Sequence, residues 1–124
     1  MPVIRPADAV FHDMHGSRFT SFVAPARGSS ELCAWRLEVP GGLAGVAHTI
    51  TREEVFLVTE GEPHLTIDGR TSVLHPGDAA VVPAGSVLRL DNPAAQSASA
   101  WVTTSIGLEA VLSDGSRLTP PWAC

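Results

Sequence analysis

Apolar and polar residues alternate along this chain with a period of two, in short runs punctuated by Gly and Pro. Between Leu32 and Val39 the alternation is clean, with Cys33, Trp35, Leu37 and Val39 on one face and Ala34, Arg36 and Glu38 on the other. Successive side chains of a strand point to opposite sides, so this segment predicts a half-buried β-strand stopped by Pro40-Gly41-Gly42. Residues 54–58 are apolar and β-branched after Glu54, and the run ends at Glu60-Gly61. Within residues 64–74, Asp68-Gly69 separates two short runs. Both central positions of a type I′ turn need positive φ, which Asp and Gly tolerate, so this segment predicts a tight hairpin. Asp114-Gly115, between Leu112 and Leu118, predicts another. Strands are also expected at 19–23, 79–82, 87–91 and 98–106, with Asn92-Pro93 as a turn. About eight to ten short strands predict an all-β sandwich or barrel of antiparallel strands, with little or no helix. Residues 1–30 read as an N-terminal arm with edge strands, and 107–124 as a C-terminal hairpin and tail. Pro120-Pro121-Trp122 is too stiff to continue a strand and is expected to fold back over an opening.

Composition narrows the class. A chain of 124 residues, 44% hydrophobic, fits one domain with a real core. Thirteen acidic residues stand against eight basic ones, giving a formal net charge of −5. All the basic residues are scattered arginines, with no lysine, which argues against nucleic acid as a partner. No apolar run is long enough to cross a bilayer, so a membrane role is not expected. The N-terminus lacks a basic region followed by an apolar run, and a cytoplasmic location is expected. Cys33 sits on an apolar face and reads as a small core residue, whereas Cys124 is the last residue.

Two spaced segments carry the chemistry. In the first, Gly42 is followed after five residues by His48, after one by Ile50, after three by Glu54 and after six by Gly61. In the second, Gly77 is followed after five residues by Pro83, after one by Gly85, after two by Leu88 and after three by Asn92. The two segments lie fifteen residues apart. Together they resemble the two cupin motifs, G-x5-H-x-H-x3-4-E-x6-G and G-x5-P-x-G-x2-H-x3-N, with the short spacing of small single-domain cupins. The resemblance spans residues 42–92 directly and implies one cupin domain over 1–124, a jelly-roll β-barrel. It also implies a homodimer paired through edge strands or an outer sheet face.

Only two positions depart from the pattern, and both are metal positions. In metal-binding cupins three His and one Glu converge on a divalent transition ion. Here the motif keeps His48 and Glu54, while Ile50 and Leu88 stand where histidines are expected. Catalytic metal sites usually need about three protein ligands, and hydrocarbon neighbours raise the cost of desolvating an ion. No metal cofactor is therefore expected, and any ion that did bind would have His48 and Glu54 as its motif ligands. His12 and His15 in the N-terminal arm, or another chain, are the remaining sources of a ligand. His64 should point away from the barrel interior, and His75 precedes a Pro-Gly turn.

Alternation predicts what faces inward: His48 with Ile50, Glu54 with Phe56, Leu88 with Leu90, and Trp35 on its apolar face. Trp101 is expected to join them, with Thr103 and Ser105 on its side. Such a pocket has an apolar wall with a few orienting polar groups, the make-up of a small-molecule site. The leading expectation is a cupin that binds a small apolar or aromatic metabolite without a tightly bound metal. One alternative is a metal-free isomerase, cyclase or lyase, with His48 as acid/base and Glu54 orienting it. Another is a metal-dependent oxygenase with an atypical ligand set. The bland reading stands beside these: a hydrogen-bonded His48–Glu54 remnant, with Ile50 and Leu88 plugging the former metal cavity as core.

Overall fold

The computed structural model describes residues 3–124. In chain order the first six strands are β1 (Val10–Met14), β2 (Ser17–Val23), β3 (Leu32–Val39), β4 (His48–Ile50), β5 (Glu54–Glu60) and β6 (His64–Ile67). The others are β7 (Arg70–Val73), β8 (Ala79–Val82), β9 (Val87–Asp91), β10 (Ala98–Ser105), β11 (Ala110–Leu112) and β12 (Arg117–Leu118). Three single turns of 3-10 helix lie before β1, between β2 and β3 and after β12, and there is no α-helix among the described residues.

The strands form two six-stranded sheets, ordered β1-β2-β3-β10-β5-β8 and β12-β11-β4-β9-β6-β7. Every strand pairing is antiparallel. From β3 onward the chain changes sheet at each step except within the β6–β7 and β11–β12 hairpins. Two facing antiparallel sheets woven in this way make an all-β jelly roll, as the resemblance implied.

Local chemistry explains most boundaries. Asp68 and Gly69 have φ of 48° and 81°, the left-handed pair a type I′ turn requires, so β6 and β7 close as the predicted tight hairpin. At the second Asp-Gly only Gly115 is left-handed. The Leu112 amide donates to the Ser116 carbonyl across a wider loop at 2.9 Å. The strands number twelve rather than the eight to ten expected, partly because β4 and β12 are too short to show a period. The N-terminal arm supplies a further hairpin, β1–β2, turned by His15 and Gly16 at φ 51° and 83°.

The inward faces build the core. Cys33, Trp35, Leu37 and Val39 of β3 are all buried, as their alternation predicted. They pack with Phe56 and Val58 of β5, Ala100 and Val102 of β10, and Ile50, Leu65 and Leu88 of the opposite sheet. The tail folds back onto the barrel in a single 3-10 turn, Pro121–Ala123. Three polar contacts hold it: Ser21 Oγ donates to the Trp122 carbonyl at 2.6 Å, Cys33 Sγ to Ala123 at 3.4 Å, and the Ala26 amide to Cys124 at 3.1 Å.

Asn92, the last residue of the second motif, has its place explained by hydrogen bonding. It is fully buried, and its Nδ2 donates to the carbonyls of Val39 at 3.0 Å and Gln96 at 2.8 Å, with Pro40 at 3.3 Å. One amide thus ties the end of β3 to the loop that follows β9. Asn92→Ala strands buried carbonyls and should cost about 2–3 kcal/mol, read as a lowered urea midpoint with an unchanged slope. Stability within about 0.5 kcal/mol of the parent would show that this tie is dispensable.

Candidate functional site

The two sheets do not close completely on one another. Between them lies a partly open cavity of about 130 Å³. Its walls include Trp35, Leu37 and Val39 from β3, Phe56 from β5, Val102 from β10, and Leu88 and Leu90 from β9. Phe19 and Trp122 close part of it, their rings stacked 3.7 Å apart and only 7° from parallel. Trp35 meets Trp122 edge-on, with ring centroids 6.3 Å apart. An engineered apolar cavity of roughly 150 Å³ holds a benzene ring, so the scale here is that of one ring.

Of the residues expected inside, Trp35, His48, Ile50, Glu54, Phe56, Leu88 and Leu90 all line this cavity. Trp101 does not. In β10 the inward positions are Ala98, Ala100, Val102 and Thr104, all buried, which turns Trp101 outward. There it lies in register with Arg36 and Leu57 and meets Phe22 edge-on at 5.1 Å. The small and β-branched residues of that strand are its core face, and the large aromatic covers the outside. His15 reaches the cavity mouth but is exposed, whereas His12 lies 6.4 Å from the Trp122 ring and is not a wall residue. His75 makes surface contacts with Glu62 and Asp78. His64 is set apart from the cavity walls.

Sequence reasoning missed several wall residues. Leu37 and Val39 were available from the alternation that gave Trp35. Phe19 and Trp122 had no such signal, because their contribution depends on how the arm and tail close over the barrel.

The two polar groups of the interior stand on opposite sheets: His48 on β4 and Glu54 on β5. They were expected to orient one another, but neither a hydrogen bond nor an ion pair within 4.0 Å joins them. Instead His48 Nδ1 lies 2.9 Å from the Val46 carbonyl. A carbonyl only accepts, so Nδ1 carries the proton and Nε2 presents a lone pair in the neutral ring. Glu54 is 5% exposed, and its carboxyl has no hydrogen-bond partner among the described residues. Its register neighbours are Val82 and Thr104, and the Thr104 hydroxyl is already given to the Glu53 carbonyl. Burial alone pushes the Glu54 carboxyl up to about 8, so it is protonated at neutral pH. The indole N–H groups of Trp35 and Trp122 are buried without an acceptor.

The family resemblance implies a divalent metal, and the donors present do not fit one. Ile50 and Leu88, at the two substituted positions, are buried at 1% and 3% exposure, and Leu88 is the register partner of His48. No group of three or more His, Cys, Asp or Glu side chains arranged to hold an ion occurs among the described residues. One imidazole and one protonated carboxyl, set in hydrocarbon, fall short of a catalytic ligand set.

The sequence profile of the cupin domain matches residues 35–104, more than half of the chain. The chain belongs to the cupin family. A comparison with curated proteins finds no match. Among solved structures, this cupin is similar to the polyketide cyclase RemF from Streptomyces resistomycificus. That likeness has a TM-score of 0.75 at 19% identity, over 85% of this chain and 79% of that one. It is also similar to an RmlC-like cupin from Shewanella frigidimarina NCIMB 400, with a TM-score of 0.73 at 24% identity, over 85% of this chain and 90% of that one. The salicylate 1,2-dioxygenase of Pseudoaminobacter salicylatoxidans aligns at TM-score 0.64 and 23% identity, over 72% of this chain but 25% of that one. At these identities the likeness shows the fold.

The buried carboxyl has a consequence for stability. Its pKa is raised from an ordinary 4.5 to about 8. The contribution it makes in its protonated form is complete below 4.5 and is lost as pH rises through about 8. Glu54→Gln keeps the shape and cannot ionise. Relative to the parent, its unfolding free energy should gain on the order of 4 kcal/mol between pH 4 and pH 9. Parallel stability–pH curves for the two proteins would place the carboxylate in a solvated setting.

Proposed function

We propose that this cupin binds a small apolar or aromatic metabolite in its barrel, without a tightly bound metal. The observation that carries this reading is the cavity, whose walls are largely aliphatic and aromatic and whose polar groups are few. An apolar enclosure with a small number of orienting groups is the usual form of a ligand pocket. No arginine lines it, so a strongly anionic ligand would be desolvated without a counter-charge.

Native mass spectrometry and thermal shifts test this with toluene, phenol and acetophenone set against citrate. At least one ring compound should bind and raise the melting temperature, and citrate should not. Failure of every ring compound would contradict the reading. Elemental analysis of untagged protein should find metal far below one equivalent, whereas a full equivalent of Fe, Mn, Ni or Zn would overturn the metal-free part.

The tail offers a separate check on where the ligand sits. Trp122→Ala removes one wall and should cost about 3 kcal/mol of stability, while shifting preference toward larger rings. An unchanged size preference would place the ligand elsewhere.

A second reading, a metal-free isomerase, cyclase or lyase, is favoured by the separation of the two polar groups. A base and an acid placed on two sides of a substrate can act on it together, and His48 and Glu54 stand on opposite sheets. In an isomerisation, Nε2 would take a proton from a carbon beside a carbonyl while the Glu54 O–H protonates the carbonyl oxygen, giving an enol. Return of a proton to a second carbon, with the enol proton going back to Glu54, completes the cycle. His48→Ala should lower turnover of an identified substrate by about 10²-fold or more. Unchanged turnover would remove His48 from the chemistry.

A further inference from the structure

The polar groups of the cavity specify more than an apolar ligand. We infer that the cavity selects an uncharged single-ring compound bearing both a carbonyl and a hydroxyl, with Glu54 donating to the carbonyl oxygen and His48 Nε2 accepting from the hydroxyl. This rests on the ligand-binding reading above and deepens it.

Three observations support it. First, Glu54 is a wall residue at 5% exposure whose carboxyl finds no partner among the described residues. A buried polar group left unmatched costs about 1–3 kcal/mol, and a ligand that supplies the match recovers that cost. A protonated carboxyl in hydrocarbon lacks an acceptor for its O–H, and a carbonyl oxygen provides one. Second, the Val46 carbonyl claims the Nδ1 proton of His48 at 2.9 Å, which leaves Nε2 as an acceptor suited to a hydroxyl. Third, the two groups line one cavity from opposite sheets, so a ligand between them is offered a polar group from each side.

Size and charge set the remaining limits. About 130 Å³ matches the scale of one ring. His48 and the exposed His15 are the only wall side chains able to carry a positive charge, so a carboxylate would enter without a strong partner.

The test is calorimetric titration of the full chain, at neutral pH, with toluene, 3-hydroxybenzaldehyde and benzoate. The hydroxyaldehyde should bind at least about tenfold more tightly than toluene, and benzoate no better than toluene. Glu54→Leu should bring that tenfold advantage over toluene down to about threefold or less. Glu54→Gln, whose amide still donates, should keep most of it, and His48→Phe should lose the part due to the hydroxyl. Equal affinity for toluene and the hydroxyaldehyde, an advantage that survives Glu54→Leu, or preferred binding of benzoate would each overturn the inference while leaving apolar binding intact. If neither toluene nor the hydroxyaldehyde binds, the ligand-binding reading itself falls, and this inference with it.

Discussion

The strict two-residue period of β5 fixes the character of the barrel interior. Glu54, Phe56 and Val58 lie on one side of that strand and are buried at 3–5% exposure, while Leu57 on the other side is 45% exposed. A slip of one residue would free Glu54 only by exchanging Phe56 and Val58 for Val55 and Leu57 in the core and breaking the register of β5 with β10 and β8. The carboxyl escapes most of its own burial cost by holding its proton. The balance therefore favours a neutral acid inside the barrel over a solvated carboxylate outside it.

The opposite wall completes this arrangement. β4 carries His48 and Ile50 toward the cavity, and its register partner β9 carries Leu88. At the positions where a metal-binding cupin has imidazoles this one has hydrocarbon, and the two polar groups of the cavity are not joined by a hydrogen bond or an ion pair. Glu54 presents an acid from one sheet and His48 a lone pair from the other. The tail adds a wall of its own, since Trp122 reaches the site from a segment held by its packing and by three hydrogen bonds to its carbonyls, from Ser21 Oγ, Cys33 Sγ and the Ala26 amide. On the proposed reading, walls, plug and polar groups serve a small ring better than an ion.

Much of this was legible in the chain. Clean alternation gave β3 and its buried face, Asp68-Gly69 gave the tight hairpin, and the spaced glycines and Pro83 gave the family. The inward set of the matched strands followed from parity alone. Parity failed at Trp101 because β10 is apolar or small on both sides, so pattern could not say which side was core. Size misled there: Ala100 and Val102 fill the space that the large indole was expected to take. The expected His48–Glu54 pairing failed for a different reason. Motif spacing brings two residues to one cavity but does not say that they stand on facing sheets, nor that the Val46 carbonyl has already engaged the imidazole. The closing contribution of Phe19 and Trp122 depends on contacts far apart in sequence, which no local pattern encodes.

The central claim is that Glu54 is a neutral acid within an apolar barrel, and its side-chain carboxyl can be followed directly. NMR titration of protein labelled with carbon-13 at glutamate side chains, metal-free and with Glu54 assigned through Glu54→Gln, reads its midpoint. A midpoint near 8 is expected from burial; a midpoint near 4.5, as in a water-exposed carboxyl, would contradict it.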